Sequence, residues 1–325
     1  MELIKTPDKT TTTAPFIRDG LDIKRYLGMV IVALLPAVAA AFYFYGPRVL
    51  AIIAVAYIFG GLAELVFSLV RKKPLDEGFF VTGLIFSLIL PPAIPLWIVA
   101  VGIVFGVVFG KEVFGGMGRN IFNPALVGRL FITITFPTII NACWQMPFTD
   151  AITSATPLVL YKTTQTVTPL VSLLFGQTAG SIGENFCWGI ILGGIFLVYT
   201  KVANWRIPVF YIGTVIILSA IGNHFLPANV APPWFQLLSG GLLFGAFFMA
   251  TDPVTSPFTM KGKVVFGIGC GGLTVLIRAF SGYAEGVMFS IILLNALSPL
   301  IDHIVISPNF ALGKICPKGR SSNSV

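Results

Sequence analysis

Charge is scarce in this sequence: only 10% of its 325 residues are Asp, Glu, Lys or Arg. A soluble domain carries roughly 25% charged residues, so the composition excludes an ordinary soluble protein. Histidine occurs only twice, and the four cysteines lie far apart in the chain. Because zinc and iron–sulfur sites need closely spaced ligands, we expect no metal site of either kind.

We also expect no cleavable signal peptide, because the first 20 residues are polar and hold no apolar core segment. The chain as a whole is 56% hydrophobic, and its mean hydropathy is +0.90. The net charge of +8 would fit nucleic-acid binding, but in a membrane protein such an excess is typical of cytoplasmic loops. We therefore predict a protein surrounded by a lipid bilayer, with no nucleic-acid partner.

Long apolar runs recur along the chain, and a transmembrane helix needs about 20 apolar residues. We predict an all-α polytopic membrane protein of about ten transmembrane helices. The spans are expected at about 26–44, 49–70, 77–90, 96–109, 123–136, 186–200, 208–221, 234–250, 264–280 and 286–306. The expected regions are a lead (1–25), a first transmembrane half (26–136), a mostly polar loop (137–185), a second half (186–306) and a basic tail (307–325).

The distribution of basic residues predicts the orientation in the membrane. With the N-terminus in the cytoplasm, 17 of the 21 Lys and Arg residues fall in cytoplasmic loops or termini. Only Arg48 and Lys162 are then clearly outside, while Arg129 and Arg278 lie in or near spans. We therefore expect both termini in the cytoplasm and the 137–185 loop on the outer face.

A hydroxyl-rich stretch, DAITSATPL, lies within that outer loop. Thr153, Ser154 and Thr156 fall within four residues, behind Asp150 and ahead of Pro157. Ser, Thr and Asp commonly hydrogen-bond to their own backbone in loops, so composition alone favours an ordinary turn.

Two segments place a polar residue directly before a proline beside an apolar span. In NPAL, Asn123 is an N-cap residue ahead of Pro124 at the first helical position. TDPVTSPFT has the same order at Asp252 and Pro253, so we expect a second helix start there. Such a start directs free N–H groups at an anionic ligand, although a plain helix start after a loop is equally compatible with NPAL.

Four ionisable residues lie in or near the predicted spans: Glu64, Arg129, Glu285 and Asp302. Arg129 lies deep within the fifth span, so we expect it to face the helix bundle and hold an anion. Glu64 and Asp302 are more simply explained as interfacial side chains. We also expect Arg129 and Asp252 to line one central cavity between the two proline-containing breaks.

Two glycine patterns predict close helix packing. Gly102, Gly106 and Gly110 form a ladder of small residues on one face of the fourth span. The Gly267–Gly272 run formally matches a dinucleotide-binding fingerprint. It lies inside an apolar span with no preceding strand, so we interpret it as a packing surface and not as a nucleotide site.

Several long segments resemble the NqrB/RnfD family of respiratory membrane subunits. They include EGFFVTGLIFSLILPP, GKEVFGGMGRNIFNPAL and FFMATDPVTSPFT, and together with the lead and the last span they cover nearly the whole chain. The family's flavin-attachment motif, an Asp followed by a Ser/Thr-Gly-Ala-Thr run, corresponds here to Asp150, Thr153, Ser154, Ala155 and Thr156. Ser154 replaces the usual glycine. The chain is most similar to the RnfD subunit, with a short NqrB as the alternative.

The resemblance implies that FMN is joined to Thr156 through a phosphoester, formed by an extracytoplasmic flavin transferase. It also implies a second, non-covalent riboflavin, for which no residue of the sequence provides a position. Asn123, Arg129 and Asp252 are our further candidates for the flavin environment. The implied fold has two pseudo-symmetric five-helix halves with broken helices, similar to urea transporters.

The implied function is a one-electron relay in a complex that couples electron transfer to Na⁺ or H⁺ export across the bacterial cytoplasmic membrane. The expected partners are the other subunits, including a second covalent-FMN subunit and iron–sulfur subunits. The chain alone would be an incomplete enzyme, because it has no NADH, ferredoxin or iron–sulfur motif. A flavin-free channel or facilitator on the same broken-helix scaffold is the alternative function.

Overall fold

A computed structural model describes residues 23–72, 77–148 and 154–311, except for the side chains of 23 and 307–311. Within these ranges the secondary structure is helical, without strands. The α-helices are α1 (Ile23–Tyr45), α2 (Arg48–Arg71), α3 (Gly78–Leu88), α4 (Leu96–Val107), α5 (Pro124–Thr135), α6 (Pro137–Ala142), α7 (Pro157–Thr164), α8 (Leu170–Leu174), α9 (Cys187–Tyr199), α10 (Arg206–Phe225), α11 (Pro233–Leu238), α12 (Leu242–Phe244), α13 (Met260–Phe280) and α14 (Val287–Ala311). π-Helical turns follow α4 at Val108–Glu112 and α12 at Gly245–Met249.

Among the described residues, five helices are long and apolar enough to cross a membrane: α1, α2, α10, α13 and α14. They have 20 to 25 residues each, which at about 1.5 Å per residue matches a hydrocarbon core of roughly 30 Å. The apolar helices α3, α5 and α9 have only 11 to 13 residues. The predicted all-helical, multi-pass class is confirmed, and the count of ten crossings remains a prediction.

The helices pack in two groups that follow the two predicted halves. In the first group, α2 packs against α3 and α4, and α4 packs against α5. In the second, α10 packs against α11 and α13, and α13 packs against α14. Contacts of α1 with α9 and of α5 with α14 join the groups.

Loop contacts define one end of the molecule, which we call the basic end. It contains the loops after α2, α4, α9 and α12. Arg71 forms an ion pair with Glu112 at 2.9 Å, and the Tyr26 hydroxyl donates to the Val202 carbonyl oxygen at 3.1 Å. These contacts bring together loops that the distribution of Lys and Arg assigned to the cytoplasm.

The opposite end, which we call the motif end, contains the segment around Thr156. There the Arg48 guanidinium donates to the carbonyl oxygen of Pro92 at 3.1 Å, and the Phe148 N–H donates to the Phe44 carbonyl oxygen at 3.3 Å. The predicted 137–185 loop is partly helical, because it contains α6, α7 and α8.

A chain break between α3 and α4 is buried deep in the first half, where Leu90 and Ile94 are fully buried. Non-helical backbone in an apolar interior must find hydrogen-bond partners, because no water can supply them. The Gly183 N–H donates to the Leu88 carbonyl oxygen at 2.7 Å, and the Ile182 N–H donates to that of Leu90 at 2.9 Å. The segment before α9 thus supplies hydrogen-bond donors to the carbonyl oxygens at the end of α3.

The stretch at 234–250, predicted as one span, is not one helix, because α11 ends at Leu238 and a break separates it from α12. Gly240 has a φ of +67°, a conformation that glycine adopts without steric penalty and that ends a helix. Arg278 donates to the Ser239 carbonyl oxygen at 3.0 Å. Arg278 on α13 therefore supplies a hydrogen-bond donor to the backbone at the break.

The glycine ladder packs helices closely, as the sequence predicts. A side chain at Gly106 would meet the Pro124 carbonyl oxygen and would approach the Gly128 Cα at 3.0 Å. Gly267 and Gly271 likewise lie against the backbone of α10. The Gly267–Gly272 run lies within α13, so its interpretation as a packing surface is confirmed.

Candidate functional site

Thr156 is the N-cap of α7. Its backbone is extended (φ −66°, ψ 155°), Pro157 occupies the first helical position, and its side chain accepts a bond from Val159 N–H. That bond is long, at 3.4 Å, and Thr156 is half-buried. The hydroxyl therefore lies at the positive end of a short helix and remains partly accessible.

The residues just before Thr156 are anchored through Ser154. Its N–H donates to the Trp144 carbonyl oxygen at 3.0 Å, and its buried hydroxyl oxygen has no hydrogen-bond partner among the described residues. Ala155 is exposed. Asp150 and Thr153, two predicted members of the motif, lie outside the described residues.

Helix α7 is docked onto the second helix group. The Lys162 ammonium donates to the carbonyl oxygens of Ser281 at 2.8 Å and Tyr283 at 2.5 Å, and the Tyr161 hydroxyl donates to that of Pro227 at 2.8 Å. Burial lowers the pKa of Lys162, and the nearby positive charge of Arg278 lowers it further. The C-terminal half of α7 is therefore held against the second helix group.

Arg129, on α5, is 4% exposed and borders a small central cavity. Its guanidinium carbon lies 5.4 Å from the centroid of the Trp144 ring, in a cation–π arrangement. Its Nη1 atom has no hydrogen-bond partner in the described parts of the chain. The prediction that Arg129 faces the interior is confirmed.

Two carboxylates line the same cavity, whose volume is about 30 Å³, enough for about two water molecules. Glu184 accepts a hydrogen bond from the Ser181 N–H at 2.8 Å. Glu285 accepts one from the Gly241 N–H at 2.6 Å, directly at the break before α12. Arg129 therefore shares a cavity with two carboxylates, in agreement with the expectation of an anionic partner.

Sequence reasoning did not place Glu184, and it gave no role to Arg278. Glu184 lies in a non-helical segment between α8 and α9. Because this segment is outside the predicted spans, the sequence does not mark Glu184 as a buried charge. Arg278 is buried and donates to the carbonyl oxygen of Gln236 at 2.6 Å and to its side-chain oxygen at 3.0 Å. The sequence signal for a role of Arg278 is the location of this positive charge near the end of an apolar span.

Asn123 is the N-cap of α5, as predicted, and its side-chain oxygen accepts from the Ala125 N–H at 3.0 Å. Asp252 differs from the prediction. Its carboxylate accepts from the Val254 N–H at 3.1 Å and from the Thr255 hydroxyl at 3.3 Å, which closes a turn. The helix begins eight residues later, at Met260, because Thr259 supplies the cap.

Asp252 is also not among the residues that line the Arg129 cavity, so the expectation of one shared cavity is wrong. Asp252 lies in the loop after α12, at the basic end. The Gly240–Gly241 break of the second half reaches the cavity instead, through Gly241. The structure thus brings Arg129 together with Glu184 and Glu285.

The interfacial interpretation is wrong for Glu64, which is buried, whereas Asp302 is half-buried near the end of α14 and its interfacial interpretation stays a prediction. Glu64 is 3% exposed and pairs with the Lys111 ammonium at 2.6 Å. Asp302 accepts from the N–H groups of Phe258 at 2.7 Å and Thr259 at 3.1 Å. Both carboxylates have specific partners, which offset the cost of removing charge from water.

Comparison with known proteins identifies related chains over almost the whole length. The model of the NQR2, RnfD, RnfE family matches residues 10–311. One subunit of the proton-translocating ferredoxin:NAD(+) oxidoreductase complex of Clostridium ljungdahlii is 39% identical, over 90% of this chain and 93% of that protein. The corresponding subunit of the Na(+)-translocating ferredoxin:NAD(+) oxidoreductase complex of Acetobacterium woodii is 37% identical, over 94% of this chain and 96% of the relative.

A second kind of relative matches over a similar extent. One subunit of the Na(+)-translocating NADH-quinone reductase of Ectopseudomonas mendocina is 36% identical, over 93% of this chain and 89% of that protein. All three relatives are subunits of oxidoreductase complexes that translocate ions.

Proposed function

The chain belongs to the NQR2, RnfD, RnfE family, and from that premise we propose that it is a membrane subunit of an ion-translocating oxidoreductase complex that carries covalent FMN on Thr156. The relatives are named as subunits of complexes that use ferredoxin, NAD or quinone. Both the Na⁺-translocating and the proton-translocating kinds occur among them. The proposal therefore includes coupled ion export and leaves the ion, Na⁺ or H⁺, to experiment.

The position of the Thr156 hydroxyl is the observation that carries the flavin proposal. A phosphoester at this oxygen would place a phosphate at the N-terminus of α7, where backbone N–H groups and the helix dipole favour negative charge. The long contact to Val159 leaves the hydroxyl oxygen weakly engaged. The residues present therefore fit the group.

Bound FMN would supply one-electron transfer, which no side chain of this protein can perform at ordinary potentials. The protein's own contribution is to hold the segment that would carry the flavin in a fixed position. Lys162 and Tyr161 hold α7 against the second helix group, while Trp144 holds the preceding segment through Ser154. Electron partners, including iron–sulfur subunits and a second covalent-FMN subunit, would come from the rest of the complex.

The distribution of the loops between the basic end and the motif end supports ten membrane crossings, with Thr156 on the outer face. Helix α3 begins at the basic end and the π-helical turn after α4 ends there, at Glu112 beside Arg71, so α3 with its break and α4 together run out and back. In the second half, the broken pair α11–α12 and its π-helical turn lie between α10 and the loop that contains Asp252. Both halves contain a buried break, then a π-helical turn, then a capped helix start at Asn123 or Thr259. This common order supports two pseudo-symmetric halves of the broken-helix kind.

Flavin fluorescence in a denaturing gel tests the proposal. The purified chain should fluoresce under ultraviolet light, and Thr156→Ala should abolish the signal without reducing the amount of protein in the membrane. Thr163→Ala is the matched control, because it removes an exposed hydroxyl from the same helix, and it should keep the fluorescence. Fluorescence retained in Thr156→Ala would overturn the assignment, and a non-fluorescent parent chain would favour a flavin-free facilitator.

A further inference from the structure

We propose that the positive charge of Arg129 raises the reduction potential of a flavin held at Thr156. Arg129 would act as a positioning residue, because it contacts the segment before Thr156 through Trp144 and also lines the cavity that contains two carboxylates. The inference rests on the proposed function, because it requires a flavin at that hydroxyl. It concerns three charged side chains, Arg129, Glu184 and Glu285, and two lines of contact that connect them with α7.

The first line of contact runs through Trp144. The Trp144 carbonyl oxygen accepts the Ser154 N–H at 3.0 Å, two residues before Thr156. The indole ring of the same residue lies against the Arg129 guanidinium, 5.4 Å from its central carbon. One residue thus touches both the backbone of the motif and the buried cation.

The second line runs through Leu158, two residues after Thr156. A side chain at Gly240 would meet the Leu158 Cδ1 atom at 2.8 Å, and a side chain at Gly241 would meet the Glu285 carboxylate oxygen at 3.0 Å. The start of α7 therefore packs against the break whose Gly241 N–H holds Glu285. The Thr156 segment reaches the cavity from both of its flanks.

The hydrogen bonds of the two buried arginines distinguish their roles. Arg278 donates from both of its terminal nitrogens to oxygens of Gln236 and Ser239, and only its Nε atom has no partner among the described residues. Arg129 keeps one terminal nitrogen without a partner among the described residues, and its nearest charged neighbours on the cavity wall are Glu184 and Glu285. In a water-poor interior the positive charge of Arg129 therefore acts over a long range.

The sign of each charge predicts the sign of its effect. An electron adds negative charge to a flavin, and Arg129 would stabilise that charge, so Arg129→Gln should make reduction less favourable. Glu285→Gln removes a negative charge from the same cavity and should make reduction more favourable. We expect about a tenfold change in the reduction equilibrium in each direction, which is roughly 59 mV for a one-electron couple.

The experiment is a spectroscopic redox titration of the full-length, flavin-loaded chain, with dithionite as the electron donor and mediator dyes. The variants are Arg129→Gln, Arg129→Lys and Glu285→Gln, with Arg206→Gln as the control at the basic end. Arg129→Lys keeps the charge and should titrate close to the parent. Arg206→Gln should also titrate as the parent, because Arg206 lies at the opposite end, over the Trp205 ring.

Opposite shifts in Arg129→Gln and Glu285→Gln support the inference, since a general loosening of the structure would move both potentials in one direction. Unchanged potentials in both variants, with flavin still bound, would overturn it. If Arg129→Gln does not accumulate in the membrane, Glu285→Gln decides the question: a higher reduction potential supports the inference, and an unchanged one overturns it. A flavin that remains attached in Thr156→Ala would instead refute the proposed function and is read separately on a denaturing gel.

Discussion

Arg278 on α13 holds Gln236 on α11 by two hydrogen bonds, one to its carbonyl oxygen at 2.6 Å and one to its side-chain oxygen at 3.0 Å. A third bond, to the Ser239 carbonyl oxygen at 3.0 Å, reaches the break itself. One arginine thus satisfies backbone groups that the helix interruption would otherwise leave unpaired inside the bundle. This explains how a break can persist inside the bundle, away from bulk water.

Arg278→Met should therefore destabilise the protein strongly. Each buried carbonyl oxygen left without a donor costs about 1–3 kcal/mol, and two carbonyl oxygens and one amide oxygen lose their bonds. The melting temperature of the detergent-solubilised protein, followed by size-exclusion chromatography, measures the effect. Arg206→Met, at a partly exposed arginine, is the control and should change little. Equal melting temperatures would show that other contacts hold the break.

A matched pair of glycine substitutions tests the α4–α5 contact. Gly106→Ala would place a methyl group against the Pro124 carbonyl oxygen and the Gly128 backbone, so it should force the helices apart at a cost of about 1–3 kcal/mol. Gly213→Ala has no atom within 4 Å of the new methyl group and should stabilise α10 by up to about 1 kcal/mol. The two melting temperatures should shift in opposite directions, and a common direction would contradict the packing argument.

The Glu64–Lys111 pair offers a double-mutant cycle. The two side chains are 2% and 4% exposed and lie 2.6 Å apart. Glu64→Gln or Lys111→Met alone leaves a buried charge without its ion partner, so each single variant should be markedly less stable than the parent. The double variant should recover part of that loss, with a coupling of about 0.5–3 kcal/mol. Strictly additive losses would show that the two charges act independently.

Thiol labelling tests the predicted orientation in the membrane. A cysteine introduced at Lys162 should react with an impermeant reagent in intact cells, and one introduced at Lys72 should react only after the membrane is permeabilised. The native Cys143, Cys187 and Cys270 are buried, and Cys316 is replaced by Ser in both variants, so that background labelling is limited. The reverse pattern would invert the topology and would remove the Thr156 segment from the compartment proposed for flavin attachment.

The sequence predicted the long helices well, because their apolar length is a property of local composition. It also predicted the Asn123 cap, which depends only on the proline that follows. The break at Ser239–Gly241 was missed, because the apolar run continues through it. What ends the helix there is the backbone freedom of Gly240 and a hydrogen bond from Arg278, a residue 39 positions away from Ser239.

For the charged residues, too, the sequence predicts local features but not contacts between distant parts of the chain. Arg129 was correctly expected in the interior because its depth within an apolar span is readable from sequence. Its carboxylate neighbours were not identified, because Glu184 reaches the cavity from a segment outside the spans. Asp252 was misjudged for the opposite reason, since a polar residue before proline forms a turn cap as readily as a helix cap.

Peptide mass spectrometry is the most direct test of the central claim, that Thr156 carries FMN. The tryptic peptide from Leu130 to Lys162 contains Thr156 and should gain the mass of one FMN phosphoester, with fragment ions that place the addition on that residue. The account predicts this addition in the parent chain and in Thr163→Ala, whose substituted residue lies outside the peptide. An unmodified peptide in the parent chain, isolated with its flavin transferase present, would contradict the account, as would an addition placed on any other residue.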